Sequence, residues 1–278
     1  MTTPSAAAPA DPAEPSSASR LALLPAVGVS VSAFLLFALQ LAGWGHLLLA
    51  LSLLGAVLVS RELAKDLALI GVGITIVSTT SVVASVDWDR FLTIGAVLLL
   101  AVLVPAAVDR LLLRRRAIRF PLRTGEPWTR LEKGYIVAVP FLGWLILPFY
   151  FITSGVYRNW PHLADGGEVA RFFAGVNFVG TWDELFFICT CFALLRRHFG
   201  VWTANLLQAT IFVSFLWELG YQAWGPLLTA PFALLQGWLF ARTGSLLYVL
   251  IVHLLFDVVV FLAIVHARHP GAIPIFLV

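Results

Sequence analysis

Five ionisable side chains lie inside segments that are otherwise continuously apolar, and their types could support chemistry. They are Asp183, Glu184, Glu218, His253 and Asp257. A charge at the centre of a bilayer costs about 3 kcal/mol or more, and such groups usually face a bundle interior or a water-filled cavity. All five fall in the C-terminal half of the chain. Their clustering predicts a polar site within the membrane.

Depth and spacing indicate how these groups could meet. At about 1.5 Å per residue from the inner ends of their segments, Asp183, Glu184, His253 and Asp257 lie at similar depths of about 15–21 Å. Glu218 lies about 25 Å in, nearer the outer face. His253 and Asp257 are four residues apart, so they share one helix face. Asp183 and Glu184 are adjacent and point about 100° apart, so one cavity need not contain both.

Carboxylates and a histidine buried at similar depth suit the activation of water for hydrolysis. The same groups could also carry protons in a transporter, or join helices through buried hydrogen bonds. These side chains are also possible metal ligands. The chain has no HExxH motif, which excludes the usual zinc-peptidase helix, and no GxSxG motif to indicate a serine nucleophile. We expect neither a metal nor another cofactor.

Composition assigns the chain to a class. Hydrophobic residues make up 60% of its 278 residues and charged residues 12%, with a mean hydropathy of +0.93. Soluble domains have about 45–50% apolar and about 25% charged residues, so a soluble enzyme, a disordered protein and a disulfide scaffold are excluded. The apolar runs do not alternate at period two, which disfavours a barrel. The remaining class is an all-α, polytopic transmembrane bundle.

The apolar runs predict about nine spans, with eight possible if one weak run is dropped. With the N-terminus inside, 14 of the 18 Lys and Arg residues fall in inner segments, which supports this orientation and an odd number of spans. The predicted spans are 21–41, 45–60, 67–86, 91–109, 134–155, 171–195, 202–220, 225–241 and 245–266.

The spans predict an organisation in five parts. These parts are a disordered tail at 1–20, a four-span region at 21–113, a basic cytoplasmic loop at 114–133, a C-terminal membrane domain at 134–266 and a tail at 267–278. The net charge of +3 reflects cytoplasmic loops beside anionic lipid, so we expect no nucleic-acid partner.

The C-terminal residues resemble the CPBP intramembrane glutamic endopeptidases, which include type II CAAX prenyl proteases and bacteriocin-processing or self-immunity proteins. That family has EExxxR on one helix, FxxxH on the next, and HxxxN or HxxxD on a later helix, often after R-T-G-S-L. The resemblance covers about residues 170–265. The corresponding residues here are Asp183, Glu184 and Ile188; Phe212 and Leu216; Arg242 to Leu246; and His253 and Asp257.

The resemblance implies a role for each matched residue. Asp183 takes the position of the base that activates water, and Glu184 that of the second acid. His253 and Asp257 take the positions that stabilise the oxyanion or orient water. The chain departs from the family at Ile188, where the family has Arg. It departs again at Leu216, where the family has His, two residues before Glu218.

Two residues correspond to about 200° around a helix, so Glu218 could replace the missing histidine only through a π-bulge or a changed register. Either a site has been rebuilt around the five ionisable residues, or proteolysis has been lost. We therefore expect a divergent endopeptidase of the inner membrane, acting on a membrane-associated peptide or protein among spans six, seven and nine. The alternatives are an inactive relative that binds a partner or confers immunity, and a proton-coupled transporter.

Overall fold

The computed structural model describes residues 17–123, 127–271 and 273–278 of the chain. Over these residues 77% of the chain is helical, in nine helices, and there is no strand. The helices are α1 (Ser17–Ala33), α2 (Ala42–Val59), α3 (Arg61–Val77), α4 (Trp88–Ala107), α5 (Arg130–Thr153), α6 (Gly166–Asp183), α7 (Val201–Leu219), α8 (Pro226–Thr243) and α9 (Leu246–Arg268). The predicted all-α polytopic bundle is confirmed.

Three of the helices continue beyond these bounds through π-helical segments. Helix α1 continues through Phe34–Ala38 and α4 through Val108–Leu112. Helix α6 continues through Glu184–Phe192 and ends with an α-helical turn at Ala193–Leu195. Because π-helical turns are rare and often occur at functional sites, the long π segment in α6 is a candidate position for a functional site.

Six helices of the described chain are long and apolar enough to cross a membrane, namely α1, α2, α4, α5, α6 and α9. A helix satisfies its own backbone hydrogen bonds, which a lipid environment requires. Helix α6 is the most enclosed of the six, with 72% of its apolar window buried, compared with 22% for α2. Helix α6 is therefore the centre of the bundle. Helix α7 lies against it and carries buried Asn205 and Gln208, which face protein rather than lipid.

The third predicted span, 67–86, is wrong in its position. Helix α3 begins six residues earlier, because the Ser60 side chain accepts a hydrogen bond from the Leu63 backbone N–H and caps the helix. It ends at Val77, where the Ser78 and Thr79 hydroxyls donate to carbonyls of the last turn. The charged residues near Arg61 that suggested a loop are helical, and residues 78–87 form a loop.

Three of the four N-terminal helices, α1, α3 and α4, pack directly on the C-terminal half. The Ser30 hydroxyl of α1 donates a 3.0 Å hydrogen bond to the Leu207 carbonyl of α7. Gly73 of α3 allows the Phe186 ring to approach, since a Cβ at this glycine would lie 2.2 Å from the ring. Phe37 meets Phe215 edge to face at 6.3 Å. The N-terminal helices therefore form part of the wall around α6 and α7.

The end of the bundle that carries the basic segments is held by ion pairs. Buried Asp66 of α3 lies 2.7 Å from Arg115, 2.7 Å from Arg197 and 2.7 Å from His198. Arg115 also contacts Asp109 at 3.0 Å. This network joins the start of α3, the segment after α4 and the end of α6, so the regions predicted to be cytoplasmic lie together.

Two predicted loops are partly structured. Helix α5 begins at Arg130, four residues before the predicted start at 134, because Thr129 and Glu132 form a reciprocal capping box. Residues 124–126 of the predicted basic loop, and residues 1–16 of the predicted tail, lie outside the described residues. In the C-terminal segment, the Trp144 indole donates a 2.8 Å hydrogen bond to the Ile275 carbonyl, so part of the predicted tail packs on the bundle.

Candidate active site

The imidazole of His253 lies among carboxylates from two helices. Its Nδ1 is 2.6 Å from Glu184 Oε1, which is a hydrogen-bond distance. Its Nε2 is 3.7 Å from Asp183 Oδ2 and 3.8 Å from Asp257 Oδ1. Helix α6 provides the first two acids, and α9 provides His253 and Asp257. The structure thus brings together four of the five residues that the sequence singled out.

A π-helical segment of α6 lies next to the two adjacent acids that reach one imidazole. It begins at Glu184, directly after Asp183. A π turn closes over five residues instead of four, so successive side chains rotate less around the axis than in an α-helix. The Thr190 hydroxyl donates to the Leu185 carbonyl, five residues back, within the wider turns. The two acids lie beside opposite nitrogens of His253, which suits side chains that point in different directions.

Gln236 of α8 completes the polar cluster. Its Nε2 donates a 2.6 Å hydrogen bond to Glu184 Oε1 and a 3.1 Å hydrogen bond to the Val249 carbonyl of α9. The next residue, Gly237, lets α8 approach α7 closely, since a Cβ there would lie 2.0 Å from Asn205 Oδ1. One oxygen of Glu184 therefore accepts from both His253 and Gln236, which fixes the carboxylate.

A glycine also allows α6 and α9 to meet at the site. A Cβ on Gly180, one turn before the two acids of α6, would lie 1.9 Å from Asp257 Oδ2 and 3.2 Å from His253 Cδ2. A larger residue there would have to displace the Asp257 carboxylate and the His253 imidazole. This contact places the face of α9 that carries His253 and Asp257 directly against α6.

The cluster lies at the base of a cavity of about 550 Å³ between α4 and α6. Asp183, His253 and Asp257 line this cavity, and its remaining walls are mainly apolar. The volume is within the range of about 300–1,000 Å³ that ligand sites occupy. Glu184 does not line the cavity and is completely buried. The two acids of α6 thus occupy different environments, one facing the cavity and the other behind the imidazole.

Glu218 lies apart from the other four residues. Its Oε1 accepts a 3.1 Å hydrogen bond from the backbone N–H of Val82, in the loop between α3 and α4. Within the described chain it makes no hydrogen bond or ion pair with the cluster around His253. Because Val82 lines the cavity, Glu218 holds one edge of the cavity.

The cavity has room for a bridging group at the cluster. The distances from His253 Nε2 to Asp183 and Asp257 exceed the usual hydrogen-bond range, and a water molecule commonly bridges such separations. No group in the described residues donates a hydrogen bond to Asp183 Oδ1 or Asp257 Oδ2. Asp183 and Asp257 line the cavity, so their carboxylates can accept hydrogen bonds from a bound molecule. In the same part of the chain, no group of three or more His, Cys, Asp or Glu residues is arranged to hold a metal ion.

Comparison with known families connects this geometry to a class of protein. Residues 165–259 match the family described as Type II CAAX prenyl endopeptidase Rce1-like. This part of the chain is similar to that family. The match begins one residue before α6 and ends within α9, and the resemblance to the CPBP family is confirmed. No curated protein and no solved structure matches the chain. The protein is a multi-pass, CAAX-protease-like membrane protein.

The departures from the family pattern can now be placed in the Rce1-like segment. Leu216, at the expected histidine position, lines the cavity and adds an apolar surface beside the polar cluster. Ile188, at the expected arginine position, is fully buried in the π segment of α6. Where the family has an arginine near this acid, Glu184 here has hydrogen bonds with His253 and Gln236.

Sequence reasoning missed the contribution of Gln236. A polar side chain in an apolar run is typical of a helix–helix hydrogen bond, and Gln236 forms one with the Val249 carbonyl. Its contact with Glu184 could have been found only by knowing how α8 is rotated. The adjacent Gly237 was the one available signal, because a glycine within an apolar helix often marks a close helix contact.

Proposed function

We propose that the protein is a divergent intramembrane endopeptidase of the inner membrane, which hydrolyses a peptide bond with water bound in the cavity among α6, α7 and α9. The observation that supports it is the arrangement of Asp183, His253 and Asp257 around one cavity base inside the bundle. Buried charges are costly in a membrane, and a function that requires them explains why they are there. The Rce1-like match supports the same class of reaction.

In the proposed reaction, Asp183 acts as the general base. Its carboxylate removes a proton from water, and the water oxygen bonds to the carbonyl carbon of the substrate. The electrons of the carbonyl double bond move to its oxygen. His253 acts as an imidazolium in this step, so that Nδ1–H donates to Glu184 while Nε2–H donates a hydrogen bond to the oxyanion. When the C=O bond re-forms, the C–N bond breaks and the proton on Asp183 passes to the departing nitrogen. Asp257 orients the attacking water.

Glu184 and Glu218 have supporting positions in this proposal. Glu184 accepts from His253 Nδ1 and so directs Nε2 toward the cavity, as carboxylates behind a functional histidine commonly do. Glu218 holds the loop at Val82 and thereby the edge of the cavity. Both are positioning residues, because neither lines the cavity.

A catalytically inactive relative that binds a partner or confers immunity is the second candidate. Leu216 and Ile188 favour it, because the family's histidine and arginine are absent at these positions. An inactive relative would retain the cavity but would not need an ionised Asp183.

Proton-coupled transport would instead require pH-dependent uptake into vesicles.

Cleavage of a peptide bond creates a new protein N-terminus. Comparing the N-termini in samples with and without the active protein therefore distinguishes these candidates. Wild-type protein and the variants Asp183→Asn and His253→Ala are reconstituted in vesicles with membrane proteins from a host that lacks the chain. Asp89→Asn, in the first turn of α4, serves as the matched control. Peptidase activity predicts N-termini that appear with wild type and Asp89→Asn but are absent with the other two variants. An identical set in all four samples contradicts the proposal and favours the inactive relative.

A further inference from the structure

One wall of the cavity comes from a helix outside the Rce1-like segment. Phe91, Leu92, Gly95 and Leu99 of α4 face α6 across the cavity, whereas the family match begins at residue 165. The opposite wall is α6 from Arg171 to Asp183, its last residue. The cavity is thus a groove between α4 and α6 that leads to the polar cluster. We call it the α4–α6 groove.

The rims of the α4–α6 groove are open to the side of the bundle. Leu92 is 60% exposed, Leu99 is 50% exposed and Phe178 is 40% exposed. In a membrane-spanning bundle, exposed leucine and phenylalanine contact lipid hydrocarbon. A chain that already lies in the membrane can therefore enter the groove sideways without first crossing water.

One end of the α4–α6 groove lies at the membrane face opposite the basic loops. Ser85 and Val82 of the 78–87 loop line it, as do Trp160 and Arg171. Arg171 is fixed there, since its Nε donates to the Val86 carbonyl and its guanidinium lies over the Trp88 ring. Because the basic segments face the cytoplasm, the groove opens toward the non-cytoplasmic half of the bilayer.

The inner end of the α4–α6 groove distinguishes a peptide from a lipid chain. Asp183 and Asp257 line this end of the groove, and their carboxylate oxygens accept hydrogen bonds. An acyl chain has no donor to offer, whereas an extended peptide has a backbone N–H at every residue except proline. The base of the groove therefore favours a peptide.

We propose that the α4–α6 groove admits an extended apolar segment of a membrane protein from the non-cytoplasmic half of the bilayer, and that Gly95 sets the size of the side chains accepted. This inference rests on the proposed peptidase function, because it names the substrate class of that site. It also assigns substrate selection to α4, which lies outside the Rce1-like segment.

Gly95 provides a direct way to narrow the groove. A Cβ built on Gly95 meets no atom within 4 Å, so a leucine there extends into the groove without clashing with the protein at Cβ. Gly55 of α2 is a matched control, because it is also within a candidate span and its Cβ also meets nothing within 4 Å. Gly55 does not line the groove.

Photo-cross-linking tests occupancy independently of cleavage. The probe is a 20-residue Leu/Ala peptide with a central benzophenone side chain, incorporated in vesicles with the Asp183→Asn variant. We expect cross-links to α4 and α6. Adding Gly95→Leu should lower their yield by at least about tenfold, since a hydrophobic pocket discriminates about 10–200-fold per methylene group, whereas adding Gly55→Leu should not change it. An unchanged yield with Gly95→Leu overturns the proposal, as does preferential labelling of the groove by a photoreactive phospholipid.

Two further readouts separate this inference from the peptidase proposal. Cross-linking without cleavage by wild type supports the α4–α6 groove and overturns the peptidase. Cleavage that persists unchanged in Gly95→Leu overturns the groove and leaves the peptidase. A Ser85→Cys variant in sealed vesicles should react with an impermeant maleimide from the non-cytoplasmic side, while the buried native Cys189 and Cys191 remain unlabelled. Reaction only from the cytoplasmic side contradicts the proposed direction of entry.

Discussion

Amide substitutions at Asp183 and Glu184 will show which of the two adjacent acids acts as the base. Asp183 lines the cavity, whereas Glu184 is buried behind the imidazole. Glu184→Gln retains an Oε1 that can accept from both His253 and Gln236, so it changes the charge but keeps the hydrogen bonds. Asp183→Asn removes the group that accepts the proton from water. The two substitutions are chemically matched but should have different effects.

The expected magnitudes follow from these contacts. Loss of a general base lowers kcat by about 10²–10⁴-fold, which we expect for Asp183→Asn. We expect a smaller loss for Glu184→Gln than for Asp183→Asn, because Glu184→Gln keeps an acceptor for both His253 and Gln236. Glu184→Ala leaves two buried donors unpaired at about 1–3 kcal/mol each, so it should also lower thermal stability.

The assay uses a peptide synthesised from the strongest cleavage site that the N-terminal comparison identifies. Initial rates in proteoliposomes give kcat and KM separately, and thermal unfolding monitors the fold of each variant. We expect kcat to decrease in the order wild type, Glu184→Gln, Glu184→Ala and Asp183→Asn, with KM nearly constant for the amide variants. If Glu184→Gln is folded and as inactive as Asp183→Asn, the assignment of the base to Asp183 is refuted.

Two more substitutions test contacts that support the site. Gly237→Ala places a methyl group against Asn205 and should cost about 1–3 kcal/mol of stability by overpacking, measured by thermal unfolding, whereas Gly134→Ala has open space and should be neutral. Glu218→Gln keeps an acceptor for the Val82 backbone and should retain activity, whereas Glu218→Leu should raise KM by releasing the cavity edge. A complete loss of kcat in folded Glu218→Gln would instead place this residue in the chemistry.

Much of the fold could be predicted because lipid leaves few alternatives. A long apolar run must be helical to satisfy its backbone, so composition alone predicted the bundle. The boundaries were less predictable where local polar contacts set them. Helix α3 starts at the Ser60 cap and α5 at the Thr129 capping box, and both include charged residues that hydropathy assigned to loops.

The candidate site was predictable in its residues but not in its arrangement. The cost of placing charge inside a membrane singled out the ionisable residues of the cluster. The spacing of four residues put Asp257 on the same helix face as His253. The π segment at Glu184 could not be read from the sequence, since it depends on how α6 packs against α8 and α9. The two adjacent acids were expected to point apart, and they lie beside opposite nitrogens of His253. Depth alone also could not show that Glu218 binds the Val82 loop.

The polar site and one wall of the groove that leads to it belong to different parts of the chain, so the two can diverge separately. The ionisable groups belong to α6 and α9 within the Rce1-like segment, whereas one wall of the α4–α6 groove belongs to the N-terminal helices. A change at Gly95 can therefore alter which side chains enter without moving Asp183 or His253. By contrast, a change at Gly180 would displace Asp257 and the imidazole together. We therefore expect substitutions in α4 to change which substrates are accepted and to leave the polar site intact. Substitutions at the α6–α9 contact should disrupt the site itself.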